Sequence, residues 1–259
     1  MIKSKIYINS VRFFINFLVV IILHSLGACS GCSPSGRRSH QVTSSTKSYS
    51  FNTTENQLNK HKAINNTTNT LKKTLPLNVL YDKYKRSVFL IYTSDGDNAF
   101  QGSGFFISKN GLAVSNYHVF EGTSQGLEVI ETYNGQNFRI KEVLDKDKEN
   151  DFIIFRVDIG NYMISNPIPV ASQSPDIGDD VFAIGNPRGL ESTLSKGIVS
   201  SYRENNCLIQ TTTEITHGSS GGPLLNMKGE VVGITTGGFG EANLNFAVNI
   251  SLLNLYRFF

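Results

Sequence analysis

Tryptophan is absent from this 259-residue chain, and cysteine and proline are scarce, at three and seven residues. Three cysteines cannot staple a disulfide scaffold. The 23 glycines are not set in the triplet period of a collagen. Charged residues make up only 17%, too few for a coiled coil. Apolar runs of the ~20 residues that a bilayer span takes are also lacking, which excludes a polytopic membrane protein. The net charge of +3 invites a nucleic-acid reading, but it averages two unlike segments. Residues 1–75 hold ten Lys/Arg against the single acid Glu55, whereas residues 76–259 hold 14 basic and 20 acidic residues. The larger segment is acidic, so no nucleic-acid partner is expected for it.

The basic residues Lys3, Lys5 and Arg12 precede an apolar run from Phe13 to Leu23, broken only by Asn16. A basic start, a short apolar core and small residues after it describe a secretory signal. The run ends in Leu26-Gly27-Ala28-Cys29, which resembles the bacterial lipobox. By that resemblance residues 1–28 are a lipoprotein-type signal, and the Cys29 thiol takes the lipid that anchors the chain to a membrane. An ordinary cleaved signal and an uncleaved anchor are the competing readings. The implied location is the cell envelope. Cys32 and Cys207 then remain, and whether they pair is open.

Residues 29–75 read as a tether. From Ser33 to Leu75 the chain is mostly Ser, Thr, Asn and Lys, and its scattered apolar residues follow no period. Such a segment buries too little to offset its ordering entropy, and its positive charge suits it to anionic lipid.

The expectation changes at residue 76. A short helix at Leu77–Lys85 precedes recurring short apolar or alternating runs, among them Val88–Tyr92, Leu112–Ser115, Phe152–Val157, Val181–Ile184 and Glu230–Thr235. Turn signals such as Lys109-Asn110-Gly111 and Asn134-Gly135 separate them. Regular short strands with Gly- and Asn-rich turns argue for an all-β sandwich or barrel. No long amphipathic helices alternate with the strands, which disfavours a parallel α/β sheet. Ser251–Phe259 reads as a terminal helix.

Three patterns carry chemistry. Gly102-Ser103-Gly104-Phe105 leads to Ser115-Asn116-Tyr117-His118-Val119, Asp151 directly precedes the run Phe152–Phe155, and Ser220 sits in Gly218-Ser219-Ser220-Gly221-Gly222-Pro223. A serine hydroxyl is a poor nucleophile near neutrality and needs a base, usually a histidine oriented by a carboxylate. A glycine-rich turn can aim backbone N–H groups at one point, as an oxyanion requires. Gly218–Gly222 also fits the nucleophile elbow G-x-S-x-G. However, that motif opens a helix and takes the order Ser, acid, His, whereas here a strand-like run follows and the order is His, Asp, Ser. The elbow reading is rejected.

These blocks resemble the trypsin-like serine proteases of the HtrA/Deg type. Ala183–Leu190, Gly197–Ser200 and Gly229–Ile234 extend the likeness over roughly residues 86–250. The resemblance implies two chymotrypsin-like six-stranded β-barrels, about 86–160 and 166–250, with the active site in the cleft between them. It also implies peptide-bond hydrolysis with neither cofactor nor metal. Ser220 would attack, His118 would carry the proton and Asp151 would orient the imidazole; Asp145 and Asp147 are near, but Asp151 stands where the family acid does. Gly218 and Ser220 would supply the oxyanion hole, with Ser219 setting the loop between them. Glu214, six residues before Ser220, falls where the floor of the S1 pocket would be, and the rival reading points it to solvent. His217 reads as a loop residue.

The departures are Ser219, where Asn or Asp is commoner, and the short stretch after the last strand, which leaves no room for a PDZ domain. Family members often trimerise, but no sequence element here requires a homo-oligomer. The leading expectation is an envelope serine endopeptidase acting on exported or unfolded polypeptides. A chaperone or binding protein on a gated or inactive protease scaffold, and an exported protease with a narrow host or competitor target, are the rivals.

Overall fold

The structure, a computed structural model, describes residues 75–123, 126–185, 193–216, 218–239 and 244–259. The chain divides into two units, Met1–Lys72 and Lys73–Phe259, and every described residue lies in the second. The expected signal at 1–28, the lipidation site Cys29, Cys32, the tether as far as residue 74, and His217 lie outside the described residues.

Helix α1 (Leu77–Tyr84) starts after Pro76, whose carbonyl accepts from Val79 N–H at 3.0 Å and Leu80 N–H at 3.1 Å. Pro suits a helix start because its missing N–H would be unsatisfied there anyway. Leu80 and Tyr84, one turn apart, bury one face, and a 3₁₀ turn (Lys85–Ser87) delivers the chain to the first sheet.

That sheet comprises β1 (Val88–Ser94), β2 (Ala99–Phe106), β3 (Leu112–Ser115), β4 (Val129–Thr132), β5 (Asn137–Phe138), β6 (Ile140–Asp147) and β7 (Phe152–Val157). The order is β5-β4-β1-β2-β3-β7-β6, and every pairing is antiparallel. The second half comprises β8 (Asp180–Gly185), β9 (Thr193–Arg203), β10 (Leu208–Thr211), β11 (Pro223–Asn226), β12 (Val231–Phe239) and β13 (Leu244–Asn249). These six close into a barrel, β10-β13-β12-β11-β8-β9. The all-β, chymotrypsin-like architecture expected from the sequence is therefore present. The first half differs in detail: it is an open, curled sheet of seven strands rather than a closed barrel of six. The terminal segment forms two 3₁₀ turns, Ile250–Leu252 and Leu255–Phe258, rather than one helix. Asn249 ends the strand by accepting Ser251 N–H at 3.1 Å.

Strand alternation explains why the runs read as almost wholly apolar. Side chains alternate between the two faces of a strand, and here both faces are covered. On β7, Ile153, Phe155 and Val157 fill the first half, while Phe152 and Ile154 face a core shared with the second. On β8, Val181 and Ala183 fill the barrel, while Phe182 and Ile184 join the same shared core. The open sheet is packed by large rings, with Phe89 and Phe106 centroids 4.5 Å apart. The closed barrel is packed by smaller side chains such as Val199, Val232 and Ala247. Few strands leave little interior room. Leu80, Tyr84, Leu253 and Leu255 also enter the shared core, so both ends of the described chain seal the joint.

Candidate active site

His118 follows β3, Asp151 precedes β7 and Ser220 precedes β11. Each stands at the end of a strand whose side chains are locked in a core. The backbone of Asp151 is left-handed, with φ +53°, a conformation uncommon outside glycine. Two contacts hold it there. Asn116 Nδ2, fully buried, donates to the Asp151 carbonyl at 2.9 Å. In the preceding turn Asp147 Oδ1 accepts Glu149 N–H at 2.9 Å and Asn150 N–H at 3.0 Å, and Asp147 Oδ2 accepts Asn150 Nδ2 at 2.7 Å. The Asn150 amide, then the Asn150 backbone N–H, hold the Asp147 carboxyl below its ordinary pKa.

So oriented, the Asp151 carboxylate collects donors from both halves. His118 Nδ1 lies 2.9 Å from Oδ2 and 3.0 Å from Oδ1, and His118 backbone N–H donates to Oδ1 at 3.0 Å. Thr236 Oγ1, from the second half, donates to Oδ2 at 2.7 Å. The side chains of His118 and Asp151 are 24% and 11% exposed, so the acid is shielded while the imidazole reaches solvent. A carboxylate on Nδ1 fixes the tautomer and directs the other nitrogen, Nε2, outward.

Thr236 was not singled out by the sequence, and the reason is geometric. On β12 the pairing with β13 slips between Thr235 and Gly237, leaving Thr236 in a bulge. Bulges re-aim side chains and recur beside functional sites. Here the bulge turns Thr236 Oγ1 to Asp151 and the Thr236 carbonyl to Ser220, whose Oγ donates to it at 2.9 Å. Thr236 thereby links Ser220 to Asp151, which in turn holds His118.

The loop carrying Ser220 is held at its backbone, both by other backbone groups and by the hydroxyls of Thr235 and Ser103. Ser219 N–H donates to Thr216 O at 3.0 Å, Gly221 N–H to Thr235 O at 2.7 Å and Gly222 N–H to Ser219 O at 3.0 Å. Thr235 Oγ1 donates to Ser219 O at 2.7 Å. Gly218 and Gly221 have φ of +93° and +89°. At Gly221 a Cβ would lie 2.0 Å from the Ser103 carbonyl oxygen, so only glycine fits. Ser103 N–H donates to Ser220 O at 2.8 Å, and Ser103 Oγ to Gly218 O at 2.7 Å. The Gly102–Phe105 and Gly218–Leu224 blocks are thus two sides of one contact between the halves.

Glu214 is exposed. Its carbonyl accepts from Ser195 Oγ at 2.8 Å, and no described contact carries its side chain to Ser220. Among the described residues no three of His, Cys, Asp and Glu gather in a metal-binding arrangement. Cys207 is a free thiol of intermediate burial.

Comparison with known proteins decides the lineage. Residues 102–234 match the trypsin-like peptidase domain, just over half of the chain. The chain belongs to the trypsin-like peptidase family. Its relatives are of the HtrA/DegP type. It is 36% identical over 162 residues to "Protease Do-like 1, chloroplastic" of Arabidopsis thaliana, covering 58% of this chain and 36% of that protein. It is 33% identical over 164 residues to "Probable periplasmic serine endoprotease DegP-like" of Chlamydia muridarum, covering 58% and 32%. A crystal structure of the serine endoprotease from Yersinia pestis superposes with a TM-score of 0.61 at 30% identity, covering 69% of this chain and 64% of that one. The chain spans about a third of the length of these curated relatives. In this trypsin-like peptidase the chain order His118, Asp151, Ser220 is that of the chymotrypsin arrangement.

Proposed function

We propose that the chain is a serine endopeptidase in which Ser220 is the nucleophile, His118 the general base and acid, and Asp151 the orienting carboxylate. The observation that carries this reading is the Asp151 carboxylate, held by His118 Nδ1 and by the same Thr236 that accepts the Ser220 hydroxyl. A torsion of the Ser220 side chain away from Thr236 would hand its proton to His118 Nε2 as Oγ bonds the scissile carbonyl carbon. The resulting imidazolium is stabilised by Asp151 and returns the proton to the leaving amine. Water, deprotonated by the same imidazole, then releases the acyl group. The N–H groups of Gly218 and Ser220 are the proposed oxyanion donors. Ser219 shapes their loop, its own N–H being spent on Thr216. One such donor is typically worth ~10²–10³ in turnover.

For substrates we propose exported or unfolded polypeptides at the cell envelope, with the chain anchored through a lipid on Cys29. The signal-like N-terminus supports this, as do relatives described as periplasmic endoproteases. The exposed Glu214 side chain supports an S1 pocket without an acidic floor, so Val-terminated peptides should be cut in preference to Arg-terminated ones. The Ser220 hydroxyl, resting on the Thr236 carbonyl, favours a second reading, that of a gated or chaperone-like scaffold.

The test is the full chain and its Ser220→Ala variant, each given unfolded casein and a fluorophosphonate probe. Labelling and cleavage that vanish in the variant would establish the endopeptidase. Labelling without cleavage would select a gated enzyme or a narrow target. Neither signal in the parent chain would overturn the reading in favour of a binding protein.

A further inference from the structure

We propose that the Ser103 hydroxyl is a positioning group for the oxyanion pocket, acting from the first sheet through the carbonyl of Gly218. The proposal rests on Ser220 being the nucleophile, and it assigns part of that residue's environment to a strand of the other half.

Ser103 sits on β2 with no exposed surface, and its polar groups are all engaged at the joint between the halves. Its N–H donates to Ser220 O at 2.8 Å, its Oγ to Gly218 O at 2.7 Å, and its carbonyl accepts Ser115 Oγ at 2.7 Å. One residue therefore grips the loop on both sides of Ser219. A serine needed only to fill a strand position would not require its hydroxyl aimed across the joint. Gly218 is where such a grip matters most: with no Cβ and φ at +93°, its own backbone imposes little torsional preference. Fixing its carbonyl fixes the 218–219 peptide, the link between the peptide that carries the Gly218 N–H and the peptide that carries the Ser220 N–H. An oxyanion donor works only when it lies about 2.7–3.1 Å from the developing charge. Small misplacements at a reacting centre are costly in rate. The bond has an ordinary hydroxyl length and is partly buried, which shields it in part from water and strengthens it.

The consequence is a split between turnover and binding. Ser103 has no exposed surface with which to touch a substrate, so its loss should lower kcat and leave KM alone. Removing one hydrogen bond of this kind predicts a drop of about tenfold in kcat.

The experiment compares the full chain with Ser103→Ala and, as a control, with Ser87→Ala. Ser87 donates an equally buried hydroxyl bond to the Asn166 carbonyl, outside the site. Three readouts are taken: kcat and KM on a peptide substrate, affinity for a peptide boronate that forms a tetrahedral adduct, and amide hydrogen exchange over residues 218–222. The proposal expects Ser103→Ala to lose about tenfold in kcat and in boronate affinity at unchanged KM, with exchange over 218–222 correspondingly faster. Ser87→Ala should lower the melting temperature and change none of the three. Should Ser103→Ala fail to fold, Ser103→Cys, a similar volume with a weaker donor, should give the same pattern in smaller measure. Unchanged exchange over 218–222 would overturn the proposal, as would an equal fall in kcat in the Ser87 control. A parent chain with no Ser220-dependent labelling would defeat the endopeptidase reading instead, and hydrogen exchange would still decide the role of Ser103.

Discussion

The two halves of the described chain meet at one site but hold their residues there by different means. The first half is an open sheet whose loops are fixed by polar side chains. Asn116 and Asp147 hold the turn that carries Asp151, and Asp95 organises the β1–β2 turn by accepting Asp97 N–H at 2.9 Å and Asn98 N–H at 2.7 Å. The second half is a closed barrel whose key loop depends on close approach of backbone, since a Cβ at Gly221 or Gly222 would press on a carbonyl oxygen. Hydrogen-bonded loops fail by degrees, since each lost bond costs about 1 kcal/mol. Close-packed backbone fails abruptly, because an added methyl has nowhere to go. The acid and base should therefore tolerate nearby substitutions that the nucleophile loop does not.

The sharpest way to break that comparison is Gly221→Ala. Its Cβ would meet the Ser103 carbonyl oxygen at 2.0 Å with φ at +89°, and a backbone obstacle cannot rotate aside. We expect a loss of about 3 kcal/mol or more of stability and no fluorophosphonate labelling, read by chemical denaturation and by gel. A folded, labelled Gly221→Ala chain would show that the loop has more freedom than its contacts imply.

Thr236→Val comes next. It keeps the shape of the bulge residue and removes the hydroxyl that donates to Asp151. Hydrogen bonds to charged groups are worth about 1.5–3 kcal/mol, so kcat should fall by about tenfold or more at near-constant KM. Steady-state kinetics beside a melting curve would separate this from general destabilisation.

Asn116→Ala tests the gradual half of the comparison. It strips the donor from the Asp151 carbonyl, leaving the left-handed backbone of Asp151 less supported. A loss of about 1–2 kcal/mol is expected, with activity reduced but present. A total loss of activity would mean that the first half is as brittle as the second.

The smallest effect belongs to Asp147→Asn. The folded Asp147 carboxyl titrates below its ordinary value, so its stabilisation is fully present above the unfolded pKa of about 4 and fades as pH falls through the lowered folded value. The difference in melting temperature between parent and variant should accordingly be largest near neutrality and narrow on acidification. A difference that stays constant with pH would assign the effect to shape rather than charge.

Much of this was legible from local pattern. The strands from Val88 to Asn249 lie close to where apolar runs stand between glycine and asparagine turns, and Gly135, with φ +74°, closes its hairpin as Asn134-Gly135 suggests. His118, Asp151 and Ser220 stood out because their flanking blocks are contiguous in sequence. Thr236 did not, since a bulge is a register slip between two strands and leaves no mark on either alone. The openness of the first sheet was equally hidden, because closure depends on whether the edge strands β5 and β6 pair. Ser103 carried a recognisable motif, but its partner Gly218 lies 115 residues away.

The sequence by itself determined the alternation of apolar and turn residues, and so the β class, the acidic globular part and the order His, Asp, Ser. These depend on periodicity and composition, which are properties of neighbouring residues. Only the tertiary structure decided which loops face one another, that Thr236 joins Asp151 to Ser220, and that Ser103 grips the nucleophile loop from the opposite half. Those contacts come from packing an open sheet and a closed barrel around a shared core. No stretch of chain short enough to be read locally contains both sides of that joint.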